Sequence, residues 1–359
     1  MNSSKYKNIS FDDAHFFIGI DTHLKNWRVT IRLNHIELKT YSANPSPEEL
    51  LKYLYKNYPG GSFHIVYEAG FCGFWPARKF KQLGIDCIVV NPADVPTSNK
   101  EKVNKNDPID SRKLARELEN KSLKAIYIPD IFHEELRDLM RLRGRIVQSQ
   151  TRIKNRIKAL LYTKGIDIPL NFSKNSRWSG AFIKWLKDIK LSSSAGNYSL
   201  QNMICQLVQL REHNKNIIKE LRKQATQKEI APIIEALKSV PGVGFIIAFS
   251  VYTEIIDMKR FSNVAKTIAF VGLIPSIRSS DETVYNNGMT FRGNNFIRPL
   301  IIQAAWRAVR EDPAITMKYR DLTKRMDPKD AIVRIAKKLI VRARHVWLKR
   351  EEYVYSLVA

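Results

Sequence analysis

Three short segments rich in β-branched and aromatic residues open the patterned part of the chain. They are FFIGIDT at 16–22, WRVTIRL at 27–33 and IELKTYSA at 36–43. Only a few polar residues separate one segment from the next, as in consecutive hairpins. The pattern predicts a meander of three β-strands.

Helical and strand-like segments then alternate. PSPEELLKYLYKNY predicts a helix with Ser46 as its N-cap, and FWPARKFKQLG and KNDPIDSRKLAREL predict two more. FHIVYEAG and IDCIVVNPA predict strands, the second one buried because it is almost wholly apolar. The order β-β-β-α-β-α-β-α predicts a mixed sheet with helices on both faces and ligand groups at the carboxyl ends of its parallel strands.

The central part of the chain has helical periodicity. Apolar residues recur every seven positions in two long segments, which predicts two helices with coiled-coil seams. The seams are Leu139, Ile146, Ile153 and Leu160 with Leu136 and Ile157 beside them, and Leu200, Met203, Leu207, Leu210, Ile217 and Leu221 with the polar Asn214. A heptad pattern does not identify the partner helix, so an intramolecular hairpin and pairing between protomers both stay open. The basic positions along the first helix are a candidate nucleic-acid track or a solvated face.

A third region begins at 229. Val240-Pro241-Gly242-Val243-Gly244 lies between two apolar helical stretches, which predicts a helix-hairpin-helix. Its glycines, Gly242 and Gly244, would let backbone amides hold a phosphate, although a plain connecting turn is the alternative. The polar stretch 276–295 is predicted as a long loop, of the kind that is usually functional or disordered. The tail from 330 is predicted as a basic amphipathic helix.

These patterns predict three domains: an α/β domain at 14–128, a coiled-coil region at 129–228, and a mainly α-helical domain at 229–350. The chain has 359 residues, with 60 Lys and Arg against 35 Asp and Glu, and a net charge of +25. Such a charge favours a polyanionic partner, most simply DNA or RNA. We expect no membrane association, because no apolar run is long enough to span a bilayer. Three scattered cysteines and no signal peptide predict a reducing, cytoplasmic location.

Four acidic residues mark the predicted ends of elements in the first domain. Asp21 and Glu68 end two strands, while Asp107 and Asp110 open a helix three residues apart and therefore on one side of it. Taken alone, the helix-opening pair also fits an ordinary capped helix with solvated charges. All four together form the oxygen-only ligand set of hard cations such as Mg²⁺, and two such ions support phosphoryl transfer. Lys102 and Lys105, just before the helix, are candidate contacts to nucleic acid.

The segments GIDTHLKNW, EAGFCGFWPARKFKQLGIDCIVVNP and KNDPIDSRKLAREL resemble the DEDD transposases of the insertion sequence 110 family. That family includes the Piv DNA invertases and the bridge-RNA-guided recombinases. The resemblance implies a ribonuclease-H-like domain of the resolvase type. It assigns Asp21, Glu68, Asp107 and Asp110 as catalytic metal ligands for two Mg²⁺ ions, with Mn²⁺ as an alternative.

The C-terminal region is similar to the second domain of the same family. The matching pieces are Ala269–Pro275, Ser279-Ser280 and the segment Arg292 to Arg298, RGNNFIR. The resemblance implies that Ser280 is the nucleophile on DNA, with Ser279 as the second choice. The sequence departs from the family where Asp281 replaces the usual glycine. Arg292 and Arg298 are candidate contacts to nucleic acid.

The resemblance implies a transposase that cuts and rejoins DNA with a serine nucleophile, as a homo-oligomer (dimer or tetramer) guided by a structured RNA. Two alternatives stay open. One is a metal-dependent junction resolvase or a site-specific invertase, and the other is a nucleic-acid-binding protein without catalytic activity.

Overall fold

The computed structural model describes residues 10–96, 107–172, 176–280, 283–290 and 292–355, with only the backbone described at 107–109, 276–280 and 283–287. Contacts within the chain divide it into two compact units, residues 1–128 and 129–359. The predicted middle and C-terminal domains both fall in the second unit. Their separation near residue 228 stays a prediction.

The first unit contains a five-stranded mixed sheet. Its strands have the spatial order β3-β2-β1-β4-β5, with β2 antiparallel to its neighbours and β1, β4 and β5 parallel to one another. The strand bounds are His15–Thr22 for β1, Trp27–Leu33 for β2, Ile36–Ala43 for β3, Ser62–Glu68 for β4 and Asp86–Val90 for β5.

Helices cover both faces of this sheet. The helices are α1 at Pro47–Asn57, α2 at Trp75–Gln82 and α3 at Asp107–Glu119. Ser46 caps α1, as predicted, by accepting a hydrogen bond of 3.3 Å from the Glu49 amide. Ile18 and Ile20 of β1 belong to the apolar core under α1 and α2, whereas Val66 of β4 packs with Leu114 of α3 on the other face. The predicted mixed α/β domain is therefore confirmed, and its topology is compatible with a ribonuclease-H-like fold.

The second unit is mostly helical. Its helices are α4 Ile131–Thr163, α5 Gly180–Asp188, α6 Ser194–Ala225, α7 Ala231–Lys238, α8 Phe245–Ile255, α9 Val264–Val271, α10 Ile297–Glu311, α11 Pro313–Thr323 and α12 Pro328–Lys349. The helices from α7 onward, with the start of α4 and the end of α6, enclose one apolar core that includes Leu136, Leu221 and Trp347.

The long helices α4 and α6 pack against each other in antiparallel directions. Leu136 lies in one core with Leu221, while Ile157 lies in another core with Ile204, so the sequence numbers run in opposite senses along the pair. The buried residues of α4 are Leu136, Met140, Ile153, Ile157 and Leu161, whereas Leu139, Ile146 and Leu160 of the predicted seven-residue seam are only half-buried. Supercoiling and pairing between protomers therefore stay predictions.

The stretch predicted as a loop at 276–295 instead begins with a β-hairpin. Strand β6 at Pro275–Ser280 pairs antiparallel with β7 at Thr283–Met289, and Ser280 lies opposite Thr283. The loop prediction was wrong here because the many polar residues masked the strand preference of Thr283-Val284-Tyr285. Across the described residues, no helix is both long enough and apolar enough to cross a bilayer.

Candidate active site

Asp21 and Glu68 lie side by side at the carboxyl edge of the sheet. The last paired residues of the parallel strands β1 and β4 are Ile20 and Tyr67, and the two acids follow directly. Neighbouring strands are about 4.8 Å apart, and side chains alternate between the faces of a sheet. Since Ile20 and Tyr67 face the core under α1 and α2, Asp21 and Glu68 are on the opposite face, which carries α3. Both acids are half-buried.

A glycine brings α3 close to this face. A β-carbon on Gly19 would overlap the Ser111 carbonyl oxygen and would lie 2.5 Å from the Ala115 amide nitrogen. The Ser111 hydroxyl is also hydrogen-bonded to the Thr30 hydroxyl at 2.9 Å, and Thr30 is the partner of Gly19 in the sheet. Ser111 is therefore held directly over the middle of β1.

The other end of α3 shows which way the helix runs. Glu119 accepts hydrogen bonds of 2.8 Å from Arg32 Nε and 2.6 Å from the His35 amide, at the end of β2 that lies beside the start of β1. Helix α3 thus runs antiparallel to β1, and its first turn lies toward the carboxyl edge. From Ser111 back to Asp107 the helix rises ~6 Å, which matches the ~6.6 Å that two strand residues cover from Gly19 to Asp21.

The four predicted acid positions are therefore at one edge and on one face of the first unit. Asp110 is half-buried, while the Asp107 side chain is outside the described part of the structure. Asp21 is hydrogen-bonded to His23 at 3.1 Å. Among the described side chains, no three His, Cys, Asp or Glu residues are grouped so as to hold a metal ion. Even so, a carboxylate set on adjacent strand ends and a helix start fits hard divalent ions by its donor chemistry.

The other predicted site residues are either in the second unit or outside the described residues. Lys102 and Lys105 are outside the described residues. Ser280 ends β6 in the second unit, while Asp281 and Glu282 are outside the described residues.

Gly242 and Gly244 differ in their surroundings. The Gly242 amide donates a 2.9 Å hydrogen bond to Glu311, and a β-carbon at Gly242 would lie 2.8 Å from the Ala308 amide nitrogen of α10. That amide is thus used within the fold. Gly244 is exposed at the start of α8, with open space where a β-carbon would be. A phosphate at this turn would have to bind at Gly244 and the first amides of α8, and the helix-hairpin-helix role stays a prediction.

Two family models match this chain. One, described as "Transposase" for the DEDD domain of IS110-type elements, matches residues 18–164, and the other, described as "Transposase IS116/IS110/IS902 family", matches residues 234–320. The chain belongs to the IS110 family of DEDD transposases. The resemblance inferred from the sequence is thereby confirmed, and a DEDD domain implies dependence on a divalent metal in general.

Individual relatives agree with this assignment. The y4qE protein of Sinorhizobium fredii is 30% identical over 243 residues, which cover 68% of this chain and 58% of the relative. The transposase for insertion sequence element IS1111A of Coxiella burnetii is 28% identical over 252 residues, covering 68% of this chain and 66% of the relative. The alignments thus span less than two thirds of either relative.

The matched C-terminal region of this IS110-family chain contains a buried acid that sequence reasoning missed. Glu254, 2% exposed in α8, accepts hydrogen bonds of 2.7 and 2.8 Å from the Arg141 guanidinium of α4. It also accepts one of 2.6 Å from the Asn294 side-chain amide, in the segment that joins β7 to α10. The only signal in the sequence is one carboxylate inside an apolar helix, which implies a paired charge.

Asn294 and Arg298 hold the base of the hairpin. Asn294 accepts hydrogen bonds from the Phe296 and Ile297 amides, so it caps α10. Arg298 donates to the Arg292 carbonyl oxygen at 2.9 Å, and its guanidinium lies against Gly272. Arg298, predicted to contact nucleic acid, therefore already uses donors within the protein, whereas Arg292 is exposed.

A cationic groove runs between α4 and α6 of this family member. Its volume is about 350 Å³, and its polar lining comprises Ser149, Arg152 and Arg156 from α4 and Gln206, Gln209 and His213 from α6. From residue 139 to 166 the chain has eight Lys or Arg and no Asp or Glu. This groove, hereafter the arginine groove, is where the predicted basic track faces solvent, since both Arg152 and Arg156 are exposed.

Proposed function

We propose that this chain is a metal-dependent DNA transposase in which Asp21, Glu68, Asp107 and Asp110 hold two divalent ions, Mg²⁺ or Mn²⁺. The observation that supports the proposal most directly is the placement of all four acid positions at one edge and on one face of the sheet. Bound ions would offset the charge of the attacked phosphate and lower the pKa of the attacking hydroxyl. The acids would bind and space the ions, with α3 supplying two of the four.

We further propose Ser280 as the nucleophile. In this step the Ser280 oxygen bonds to phosphorus while the bond from phosphorus to the 3′-oxygen breaks. The strand leaves with a 3′-hydroxyl, and its 5′-phosphate stays on the serine. The free 3′-hydroxyl of another strand then reverses the reaction and releases the serine. Because Ser280 and the acids belong to different units, both units must act on one phosphate, from one chain or from two.

The experiment is strand exchange by the purified full-length protein on its own element ends, with Mg²⁺ supplied. Asp21→Asn, Glu68→Gln and Asp110→Asn keep side-chain volume but remove the charges that bind the ion. Each should lower strand exchange by at least roughly 100-fold, while DNA binding in gel-shift assays stays within about twofold. Asp86→Asn is the matched control, because Asp86 is on the same sheet but at the amino ends of its parallel strands. Full activity of the Asp21 and Glu68 variants would refute the metal site.

A junction resolvase that attacks DNA with water is the second candidate. It is favoured by one observation: all four acids are in the first unit, so hydrolysis would need no group from the second. Ser280→Ala separates the candidates. The serine transposase loses strand exchange and no longer forms a covalent protein–DNA adduct, whereas the resolvase continues to cut.

We also propose a structured guide RNA as partner and a homo-oligomeric active form, both on the strength of the family. The net charge of +25 and the arginine groove support binding of a polyanion. Sequencing the RNA that co-purifies with the protein after nuclease treatment tests the first proposal. A protected RNA transcribed from beside the gene is the expected result, and light scattering gives the number of protomers.

A further inference from the structure

The β6–β7 hairpin, hereafter the serine hairpin because Ser280 ends its first strand, joins the helical core through two legs. The first leg connects α9 to β6, and the second connects β7 to α10. The Thr290 amide of the second leg donates a hydrogen bond of 2.9 Å to the Ile274 carbonyl oxygen of the first, and the Asn294 amide donates one of 2.8 Å to the Phe270 carbonyl oxygen of α9. The two legs are therefore joined, and what holds the second leg also holds the hairpin.

The second leg is held by the side chain of Asn294. Its nitrogen donates a hydrogen bond of 2.6 Å to Glu254 Oε2, which also accepts one of 2.8 Å from the Arg141 guanidinium. Its oxygen accepts hydrogen bonds of 2.9 and 3.1 Å from the Phe296 and Ile297 amides. Because the nitrogen only donates and the oxygen only accepts, this is the one orientation that satisfies both ends of the side-chain amide.

Helix α4 supplies the other side of this network. Arg141 Nε donates a hydrogen bond of 2.7 Å to Glu254 Oε1, and Arg137, one turn earlier, lies 4.0 Å from the second carboxylate oxygen. One turn later, a β-carbon on Gly144 would lie 2.7 Å from the ring of Phe296. Residues three and four apart lie on the same face of a helix, so one face of α4 contacts both Glu254 and the start of α10.

Packing alone does not require a carboxylate at this place. Glu254 is the one charged residue of α8 and is 2% exposed. Well-packed apolar side chains are often as stabilising as a buried ion pair, or more so. Hydrogen bonds to a charged group, in contrast, fix direction as well as distance. An apolar side chain could fill the volume of Glu254, but it could not orient Asn294.

The step proposed for Ser280 needs such an orientation. Reacting groups have to be held within about 0.5 Å of their productive positions, and a misplacement of about 1 Å can lower a rate roughly 100-fold. Ser280 lies opposite Thr283, the first residue of β7, so the strand that bears the serine is paired with the strand that continues into the second leg. A shift of the second leg is therefore passed on to Ser280.

We propose that Glu254 and Asn294 are positioning residues for the nucleophilic step. Their hydrogen bond holds the second leg against α4 and α8, and thereby keeps Ser280 where it can attack the phosphate. This inference rests on the proposed function of Ser280. Both residues act through the hairpin and not on the reacting atoms.

The test is a reciprocal exchange of the two side chains in the full-length protein. Asn294→Asp places two carboxylates against each other, and Glu254→Gln places an amide N–H group against Asn294 or Arg141. Each single variant therefore breaks the contact. The double variant Glu254→Gln/Asn294→Asp restores it, because the new amide donates to the new carboxylate, which still accepts from the Phe296 and Ile297 amides.

The first measurement is the rate at which the covalent protein–DNA adduct forms with Mg²⁺ at saturating DNA, well below the Tm of every variant. Each single variant should be at least roughly tenfold slower, and the double variant should recover to within about threefold of the wild type. The DNA concentration at half-saturation should stay unchanged. The second measurement is hydrogen exchange of the β6 and β7 amides by mass spectrometry. Exchange should be faster in the single variants and return to the wild-type rate in the double variant.

Asp312→Asn is the matched control. Asp312 is another buried carboxylate of the second unit, 2% exposed, which accepts a hydrogen bond of 2.6 Å from Arg342 and caps α11. Its variant should lower the Tm but leave the adduct rate and the hairpin exchange unchanged. If Glu254→Gln and Asn294→Asp likewise change only the Tm, the positioning role is wrong. It is also wrong if both single variants are slow and the double variant is no faster.

The two measurements separate this inference from the proposed function. If the wild type forms no adduct that depends on Ser280, but hairpin exchange responds to Glu254 and Asn294 as expected, the network holds the hairpin and the proposed nucleophile is wrong. If the adduct depends on Ser280 but neither the rate nor the exchange responds, the nucleophile stands and the positioning role is wrong.

Discussion

The Glu254 carboxylate and the Asn294 side-chain amide are joined by a 2.6 Å hydrogen bond, and Glu254 is buried. Asn294 also caps α10, and Glu254 also pairs with Arg141 of α4. Together these contacts connect α8, α4 and the segment between β7 and α10. Sequence distance conceals this relationship, because the two residues are 40 positions apart.

Removing Glu254 should destabilise the second unit. Glu254→Ala takes away the buried partner of Arg141, whose own side chain is 43% exposed and can be solvated. We therefore expect a loss below the ~3–5 kcal/mol that is typical of breaking a fully buried ion pair. Asn294→Ala should cost about 1 kcal/mol through the lost cap. Urea unfolding of the single and double variants should give less than the sum of the two losses, by at least ~0.5 kcal/mol. Strict additivity would show that the two side chains do not interact.

Gly19→Ala should disrupt the first unit. A methyl group there meets the backbone of α3, which cannot move without losing the contacts of Ser111 and Glu119. We expect a loss of about 1–3 kcal/mol or more in the free energy of unfolding, and reduced metal-dependent cleavage. Gly70→Ala is the control, since its nearest atom, the Glu68 carbonyl oxygen, is 3.9 Å away. Equal effects of the two substitutions would contradict the close packing of α3.

The hydrogen bonds that Glu119 accepts at the end of α3 predict that the free energy of unfolding depends on pH. Burial alone would raise the pKa of Glu119, but hydrogen bonds from Arg32 and the His35 amide outweigh it and hold the pKa below its ordinary value of 4.5. Because the folded pKa is the lower one, this stabilisation is complete above 4.5 and is lost as the pH falls through the folded value. In a plot of unfolding free energy against pH, Glu119→Gln should therefore show a smaller fall at acidic pH than the wild type. If the variant and the wild type lose the same stability at acidic pH, groups other than Glu119 cause that loss.

The arginine groove predicts a change in salt dependence. If Arg152 and Arg156 each contact one phosphate, Arg152→Ala/Arg156→Ala should reduce the slope of log K against log salt by about 1.8 for duplex DNA. Lys215→Ala/Lys219→Ala is the control, with the same spacing on α6 but outside the groove lining. Filter binding between roughly 50 and 200 mM salt measures both slopes. Equal slopes for the two double variants would exclude the groove as a phosphate site.

Much of the first unit could be predicted from the sequence. The five strands and three helices appear where alternation, caps and turn residues indicated, because these signals are local and the sheet buries one clear set of apolar positions. The hairpin at 275–289 was missed because its strand preference is spread among polar residues. Gly242 illustrates a second limit: a glycine suited to phosphate binding looks the same in sequence as one pressed against α10.

The sequence by itself determined the charge that favours a polyanion and the family, since each depends on residue type and local spacing. It also supplied the four acids that we propose as metal ligands. Only the tertiary structure decided that α3 runs antiparallel to β1, with its first turn at the carboxyl edge of the sheet. Only the tertiary structure decided that Glu254 joins Asn294. Helix direction, long-range pairing and burial depend on how distant segments pack, which no local pattern of residues records.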